Sequence, residues 1–329
     1  MGGEYVDGSI FFYAPNKGAP IFFAVAFAAS GAYHAYQCVH YQSWRITGLY
    51  VFCAILFTAG FIVRELGAFD YTDLIKYIVS ICLVYAAPPL LELANYNILG
   101  RILYFVPYHS PIHPGRVITT FAFISIIVEA LNGNGAALTA NFSLPLHKQE
   151  LGRSLLKASL LIQIVVLFFF VLLAVTFHRR CAKAGISHPG LLNVLYTLYA
   201  STSLITARTI FRVVEYWSIA EFDWSGEGVD PMTLSPMIRY EWYFYVFEAG
   251  IMLVNHSMMN VRHPRKYLPK STKTYLARDG TEVTGPGYKE DRHFLVTLVD
   301  PFDVYGLLKG RDKENRFWEE QEARKVEAA

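Results

Sequence analysis

The chain has 329 residues, 53% of them hydrophobic and 17% charged, with a mean hydropathy of +0.29. That is too little charge for one soluble core of this length, so the sequence reads as a membrane protein. A formal net charge of +2 excludes the strongly basic surface that a nucleic-acid partner needs, and four cysteines without CxxC or paired spacing give neither a disulfide framework nor a zinc site.

The opening stretch MGGEYVDGSIFFYAPNKGAP lacks a basic region and has Val6 where a myristoylation pattern requires Ser or Thr, so the first apolar run is expected to stay in the mature protein. A bilayer core about 30 Å thick needs about 20 apolar helical residues, and runs near that length recur along the chain. They are Ile21 to Tyr41, Ile46 to Leu66, Leu74 to Leu103, Val117 to Ala140, Leu155 to Phe177, Leu191 to Trp217 and Tyr240 to Val261. Pro88 and Pro89 interrupt the third run and predict a kink. The expected fold is all-α: an integral membrane bundle of seven transmembrane helices. Residues 1–20 form a short extracellular N-terminus, 21–261 the membrane domain and 262–329 a cytosolic polar tail, its last part a solvated helix.

Orientation follows from the positive-inside bias. With the N-terminus outside, the inner side holds eleven Arg and Lys residues, from Arg45 and Arg101 to Lys270 and Lys273, against eight outside, Arg64 and Arg212 among them. The expected topology is therefore N-out, C-in. Asn141 opens the glycosylation sequon NFS, which this topology places outside.

Polar groups inside the runs demand an account, because an ionisable side chain at the bilayer centre costs about 2.5–3.5 kcal/mol on insertion scales. Helical spacing puts Glu92, Asn95 and Tyr96 on one face of the third run, and Ser125, Glu129 and Asn132 on one face of the fourth, where Gly133 and Gly135 allow close helix approach. The seventh run carries Glu241, Tyr245, Glu248, Met252 and Asn255 in steps of four and three. Glu92, Glu129 and Glu248 each lie midway along a helix and suggest a shared polar interior suited to a cationic headgroup. The expected substrate path is thus Glu92, Asn95, Tyr96, Ser125, Glu129, Asn132, Tyr245, Glu248 and Asn255. Arg208, Arg212 and Glu215 share one face near the outer end of the sixth run, and an ion-pair network joining them to Glu241 is expected there. His34 and His256 read as hydrogen-bonded packing residues. The prolines of HSPIHP argue against a metal site, and no metal is expected.

Three stretches carry a resemblance to a known family. AAPPLLELANYNILGRIL, through Ala87, Pro88, Tyr96, Gly100 and Arg101, resembles the third-helix motif of the fungal lipid-translocating exporters, the RTA-like seven-helix proteins. RTIFRVVEY resembles the sixth-helix motif through Arg208, Arg212, Glu215 and Tyr216, and EWYFYVFEAGIMLVNHSMMNVRHP the seventh through Glu241, Tyr245, Glu248, Met252, His263 and Pro264. The fourth helix departs from the pattern: Ser125 and Asn132 stand where the family often has Asp and Gln. Glu129, within VEALN, supplies a displaced acid and matches a filamentous-fungal branch better. The resemblance implies export or flipping of sphingoid bases and other amphiphiles, resistance to toxic compounds, and in one branch porphyrin traffic.

The function expected is that of a plasma-membrane transporter or exporter of amphiphilic lipids, sphingoid-base-like, or of toxic hydrophobic compounds. Its partners are membrane lipids or amphiphilic small molecules and a cytosolic protein on the tail, with no cofactor and no catalytic residue. The absence of a GxxxxGK[ST] pattern leaves a gradient, a partner or passive equilibration as the energy source. A seven-helix sensor or receptor shares the topology, and an intramembrane carboxylate-dependent isomerase or cyclase is the third class weighed.

Overall fold

The computed structural model describes residues 5–6, 9–11, 13–140, 144–220, 235–287, 296, 300, 302, 304–308 and 317–319. Asn141, the sequon residue, lies outside the described residues, as does nearly all of the loop between the sixth and seventh runs.

Each apolar run appears as helix: α1 (Ala19–His40), α2 (Trp44–Phe69), α3 (Leu74–Phe105), α4 (Pro114–Ala140), α5 (Leu146–Lys183) and α6 (Pro189–Ala220). The seventh run divides into a short α7 (Pro236–Arg239), a π-helical turn (Phe244–Gly250) and α8 (Ile251–Val261). Among the described residues four helices, α2 to α5, are long and apolar enough to cross a membrane. Large apolar side chains face outward on them, Phe52, Ile55 and Ile62 along one stripe of α2. That is the pattern of a surface solvated by lipid, and the protein is an integral membrane protein. The helix α3 runs through Pro88 and Pro89 without a break.

The contacts divide the chain into two units. The first comprises residues 1–94, 127–167 and 200–261. In it α1 and α2 form a hairpin closed by Gln42, whose φ of 52° sets the turn, and by Ser43 N–H on the Cys38 carbonyl at 2.9 Å. Stacked rings join the two helices, Phe27 on Phe57 at 4.2 Å and Phe23 on Phe61 at 5.3 Å. A polar seam binds α8 to α1. His34 Nδ1 meets Asn260 Oδ1 at 2.6 Å, and Gln37 donates to the Asn260 carbonyl at 2.8 Å. His256 spans Ser30 Oγ at 2.7 Å and the Tyr50 carbonyl at 2.8 Å. A carbonyl only accepts, so Nε2 carries the His256 proton and Nδ1 accepts from Ser30.

Helices α4 and α5 touch where both lack a side chain. A Cβ on Gly135 would stand 2.8 Å from Leu156 and 2.9 Å from the Gly152 carbonyl, and one on Gly152 would stand 2.8 Å from the Gly135 carbonyl. Gly133 faces open space. With lipid as solvent there is no hydrophobic gain in joining two apolar helices, so such close backbone contact does much of the holding.

The second unit comprises residues 95–126, 168–199 and 262–329. Its helical part is pinned by the rings of Tyr96, Phe121 and Phe170, with centroids 5.1 to 5.6 Å apart. The polar tail carries structure its composition did not announce. His263 caps a 3-10 turn, Pro264–Lys266, by accepting from Arg265 N–H at 3.3 Å. Strands β1 (Thr274–Leu276) and β2 (Glu282–Thr284) pair antiparallel, Tyr275 opposite Val283, around a turn at Gly280 with φ 82°. Tyr275, Phe317 and Trp318 form a small core with Tyr108 and Val283.

Two outcomes are expected. Gly135→Leu should destabilise the α4–α5 contact by about 1–3 kcal/mol through overpacking, and Gly133→Leu should be near neutral, both read as thermal midpoints in detergent. Burial, then Lys266 and Arg265, hold the His263 pKa down at about 4, below its unfolded value near 6.5. The unfolded chain therefore binds the extra proton first, and the turn loses stability as pH falls from about 6.5 to about 4. A histidine NMR titration should show the His263 midpoint near 4, and a midpoint above 6 contradicts the cap.

Candidate functional site

The first unit contains a cluster of buried charges built mainly from α6 and the π-helical turn. On α6, Arg208, Arg212 and Glu215 follow at i, i+4 and i+7 and so share a face. Arg208 is 5% exposed and Glu248 fully buried. Arg208 donates to Glu248 Oε1 through Nε at 2.7 Å, and its Nη2 reaches the same oxygen. Because the fork converges on one oxygen, Glu248 Oε2 is buried with no hydrogen-bond partner among the described residues. One turn along, Arg212 bonds Glu215 and donates to the Tyr85 hydroxyl at 2.7 Å, with its guanidinium 4.0 Å from the centre of that ring.

Two further groups join by electrostatics. The charge of Arg208 acts on Glu129 and on Glu215. Glu248 and Glu215 hold the two guanidiniums, and Glu129, half-buried on α4, lies within the field of Arg208. Asn255 lies two helical turns beyond Glu248, fully buried, and among the described residues neither its side-chain nitrogen nor its oxygen is hydrogen-bonded. Buried polar groups are nearly always satisfied, so an amide unbonded at both atoms is unusual.

The π-helical turn sets where Glu248 points. Such a turn inserts one extra residue into a helix and shifts everything after it by one position. Gly250 permits it, since a Cβ there would stand 3.0 Å from the Tyr245 carbonyl.

Glu241 belongs to a second cluster. It accepts from Arg64 at 3.1 Å, from the Tyr245 hydroxyl at 3.0 Å and from Asn16 N–H at 2.8 Å. The Arg64 guanidinium lies 4.0 Å from the Phe244 ring centre and 5.0 Å from that of Phe11, so aromatic faces replace its lost water.

The ion pairs therefore differ from the single network expected from spacing. Arg208 is joined to Glu248, and Glu241 to Arg64. Position near the outer ends of their runs pairs Arg208 with Glu241, and the charge count puts Arg64 among the outer cations, whereas Arg64 is 3% exposed within α2 and holds Glu241 itself. Of the expected path residues, Glu248 holds Arg208, Glu129 lies within the field of Arg208, and Tyr245 goes to the Arg64 cluster. Glu92 accepts from Gln163 Nε2 at 2.6 Å. Asn95, Tyr96 and Ser125 fall in the second unit, where Ser125 donates to the Tyr96 hydroxyl at 3.4 Å and Asn95 is 2% exposed.

Sequence reasoning missed Gln163, Tyr85 and the role of Arg64. Gln163 had a signal, a lone amide in an otherwise apolar run. Tyr85 had none, because a tyrosine in an apolar helix looks like packing.

Removing one member of a buried pair strands the other charge. Arg64→Gln is expected to cost about 3–5 kcal/mol, and adding Glu241→Gln should recover part of it. Denaturant unfolding in detergent reads both, and equal stability of Arg64→Gln and the unmutated chain contradicts the assignment.

A family model described as RTA1 like protein matches residues 50–271. A protein of Leptosphaeria maculans called lipid-translocating exporter-like protein RTA1 is 44% identical over 333 residues, covering 96% of this chain and 63% of that protein. The chain thus spans less than two thirds of that relative's length. A protein of the same name from Ajellomyces capsulatus is 28% identical, covering 79% of this chain and 82% of its own length. Protoporphyrin uptake protein 1 of Saccharomyces cerevisiae is 26% identical, covering 74% and 88%. No solved structure matches.

Proposed function

We propose that this chain, which belongs to the RTA1-like protein family, moves amphiphilic lipids or toxic hydrophobic compounds across a bilayer. The relatives named as lipid-translocating exporters support the class of activity. The observation that carries it to particular residues is the charge imbalance around Arg208. Three carboxylates with two guanidiniums leave one negative charge in excess, and in a low-dielectric interior that excess must be met by a proton or by a cation. A headgroup bearing an amine meets it while its chain stays in lipid. Glu129 is the acceptor we assign, since Glu215 and Glu248 already hold guanidiniums. Glu248 Oε2 and the orphaned amide of Asn255 offer further hydrogen bonds to a polar headgroup.

The remaining expected residues, Glu92, Asn95, Tyr96, Ser125, Asn132 and Tyr245, are proposed as the rest of the path. Arg208, Arg212, Glu215, Glu241 and Arg64 serve as the charged frame around it. We assign seven spans, with α1, α6 and the π turn with α8 added to the four apolar helices, an N-out, C-in orientation and the plasma membrane. The charge bias of the short loops supports that orientation.

Flux of a labelled long-chain amine across proteoliposomes tests the reading. Glu129→Gln should lower flux about tenfold without altering the unfolding midpoint, by removing the acceptor charge only. Asn255→Leu should lower flux and at the same time raise stability by about 1–3 kcal/mol, because it deletes an unsatisfied buried amide. Unchanged flux in both variants overturns the assignment.

A further inference from the structure

Part of the second unit, up to Arg278, holds charge of one sign. Residues 95–126, 168–199 and 262–278 contain no Asp or Glu, yet hold eleven Arg and Lys residues. The next carboxylates along the tail are Asp279, which accepts from Thr281 in the hairpin turn, and Glu282 on β2. A positive-inside bias accounts for cations beside a membrane. It does not account for two of them being drawn together on uncharged oxygens.

That is the arrangement at Arg101 and Arg265. Arg101, near the C-terminal end of α3, donates through Nη2 to the carbonyls of Pro269 at 2.9 Å and Lys270 at 3.0 Å. Arg265 donates through Nη1 to the carbonyls of Leu268 at 3.2 Å and of the same Pro269 at 2.5 Å. The two guanidiniums therefore meet at one oxygen, and the charge of Arg265 acts on Arg101. Carbonyls orient them but carry no net charge, so the repulsion between them stands. The hydrogen bonds described use one terminal nitrogen of each five-donor fork, and Arg265 Nε is buried with no hydrogen-bond partner among the described residues. Both side chains are partly exposed, so a solute has access. The exposed Lys266 and Lys270 flank them in sequence.

An oxyanion with several acceptors in a small volume suits this pair. Guanidinium forks match phosphate geometry, and the ends of membrane helices lie at the level of lipid phosphates. We propose that Arg101 and Arg265 form a binding site for a phosphate group, offered by an anionic phospholipid headgroup or by a soluble phosphate. The site goes beyond the transport assignment, since neither Arg101 nor Arg265 is among the residues proposed for the path.

The test uses the full chain in neutral detergent with three probes: dioctanoyl phosphatidic acid, dioctanoyl phosphatidylcholine and inorganic phosphate. Binding is read directly and as a rise in the thermal midpoint. Phosphatidic acid should bind and stabilise the unmutated chain, and phosphatidylcholine should not. Arg265→Gln and Arg101→Gln should each weaken phosphatidic acid binding at least about tenfold, with Arg265→Lys intermediate because it keeps the charge but loses the fork. Lys183→Gln, which removes one charge elsewhere on the same unit, should leave binding intact. Inorganic phosphate that displaces the lipid at millimolar concentration supports the site with a soluble source, and lipid binding that resists it supports a headgroup. Equal binding of phosphatidic acid and phosphatidylcholine by the unmutated chain overturns the proposal whether or not the variants fold. So does a loss in Lys183→Gln as large as in Arg265→Gln, or binding of neither phosphate probe.

Discussion

A guanidinium and a carboxylate removed from water persist only if each holds the other, and the contact between Arg208 and Glu248 is such a mutual requirement. It fixes α6 against the helix that carries Glu248, because neither charge can move a turn without being stranded. It also sets the chemistry nearby. By using one carboxylate oxygen it leaves the other unbonded, and its charge extends to Glu129 and Glu215. In the proposed function, that surrounding negative charge is what gives a cation or proton reason to enter.

The segment from Glu241 to Asn260 carries most of the polar commitments in the first unit. At its beginning Glu241 holds Arg64 under a lid of aromatic rings; at its end His256 and Asn260 bind Ser30, His34 and Tyr50. Individual polar contacts between membrane helices are worth only about 0.6–2 kcal/mol, so a row of them is needed to define one arrangement. Between the two ends the helix changes phase at its π-helical turn, where Glu248 sits. Asn255, like Glu248 Oε2, stands out within this row: among the described residues neither atom of its buried amide is hydrogen-bonded.

Much of the helical framework was legible in the sequence because apolar runs of membrane length leave few alternatives. The seventh run was the difficult case. Steps of four and three predict one helical face through Glu241, Tyr245, Glu248 and Asn255, whereas Glu241 precedes the π-helical turn, Tyr245 and Glu248 lie in it and Asn255 lies in α8. No composition signal distinguishes such a turn from a continuous α-helix, and none pairs Arg208 with Glu248 in place of Glu241. Gly135 and Gly133 illustrate the same limit at finer scale: both suggest close approach, yet only Gly135 meets a neighbouring backbone. Arg64 reads as an outer cation because hydropathy alone cannot show that Phe11, Phe244 and Glu241 would enclose it. The hairpin at Tyr275 and Val283 was hidden by its brevity, three residues on each strand inside a polar segment.

Function is where sequence and geometry meet. In the proposed function, relatives named as lipid-translocating exporters supply the class of cargo, and the Arg208 cluster supplies a physical reason for amphiphiles with a cationic head. Everything in that reason rests on Arg208 and Glu248 acting as one unit. A double-mutant cycle over Arg208→Gln and Glu248→Gln, with unfolding free energies measured in detergent, tests this most directly. The account predicts a coupling of about 2–3 kcal/mol, each single variant costing nearly as much as the pair, whereas effects additive within about 0.5 kcal/mol would contradict it.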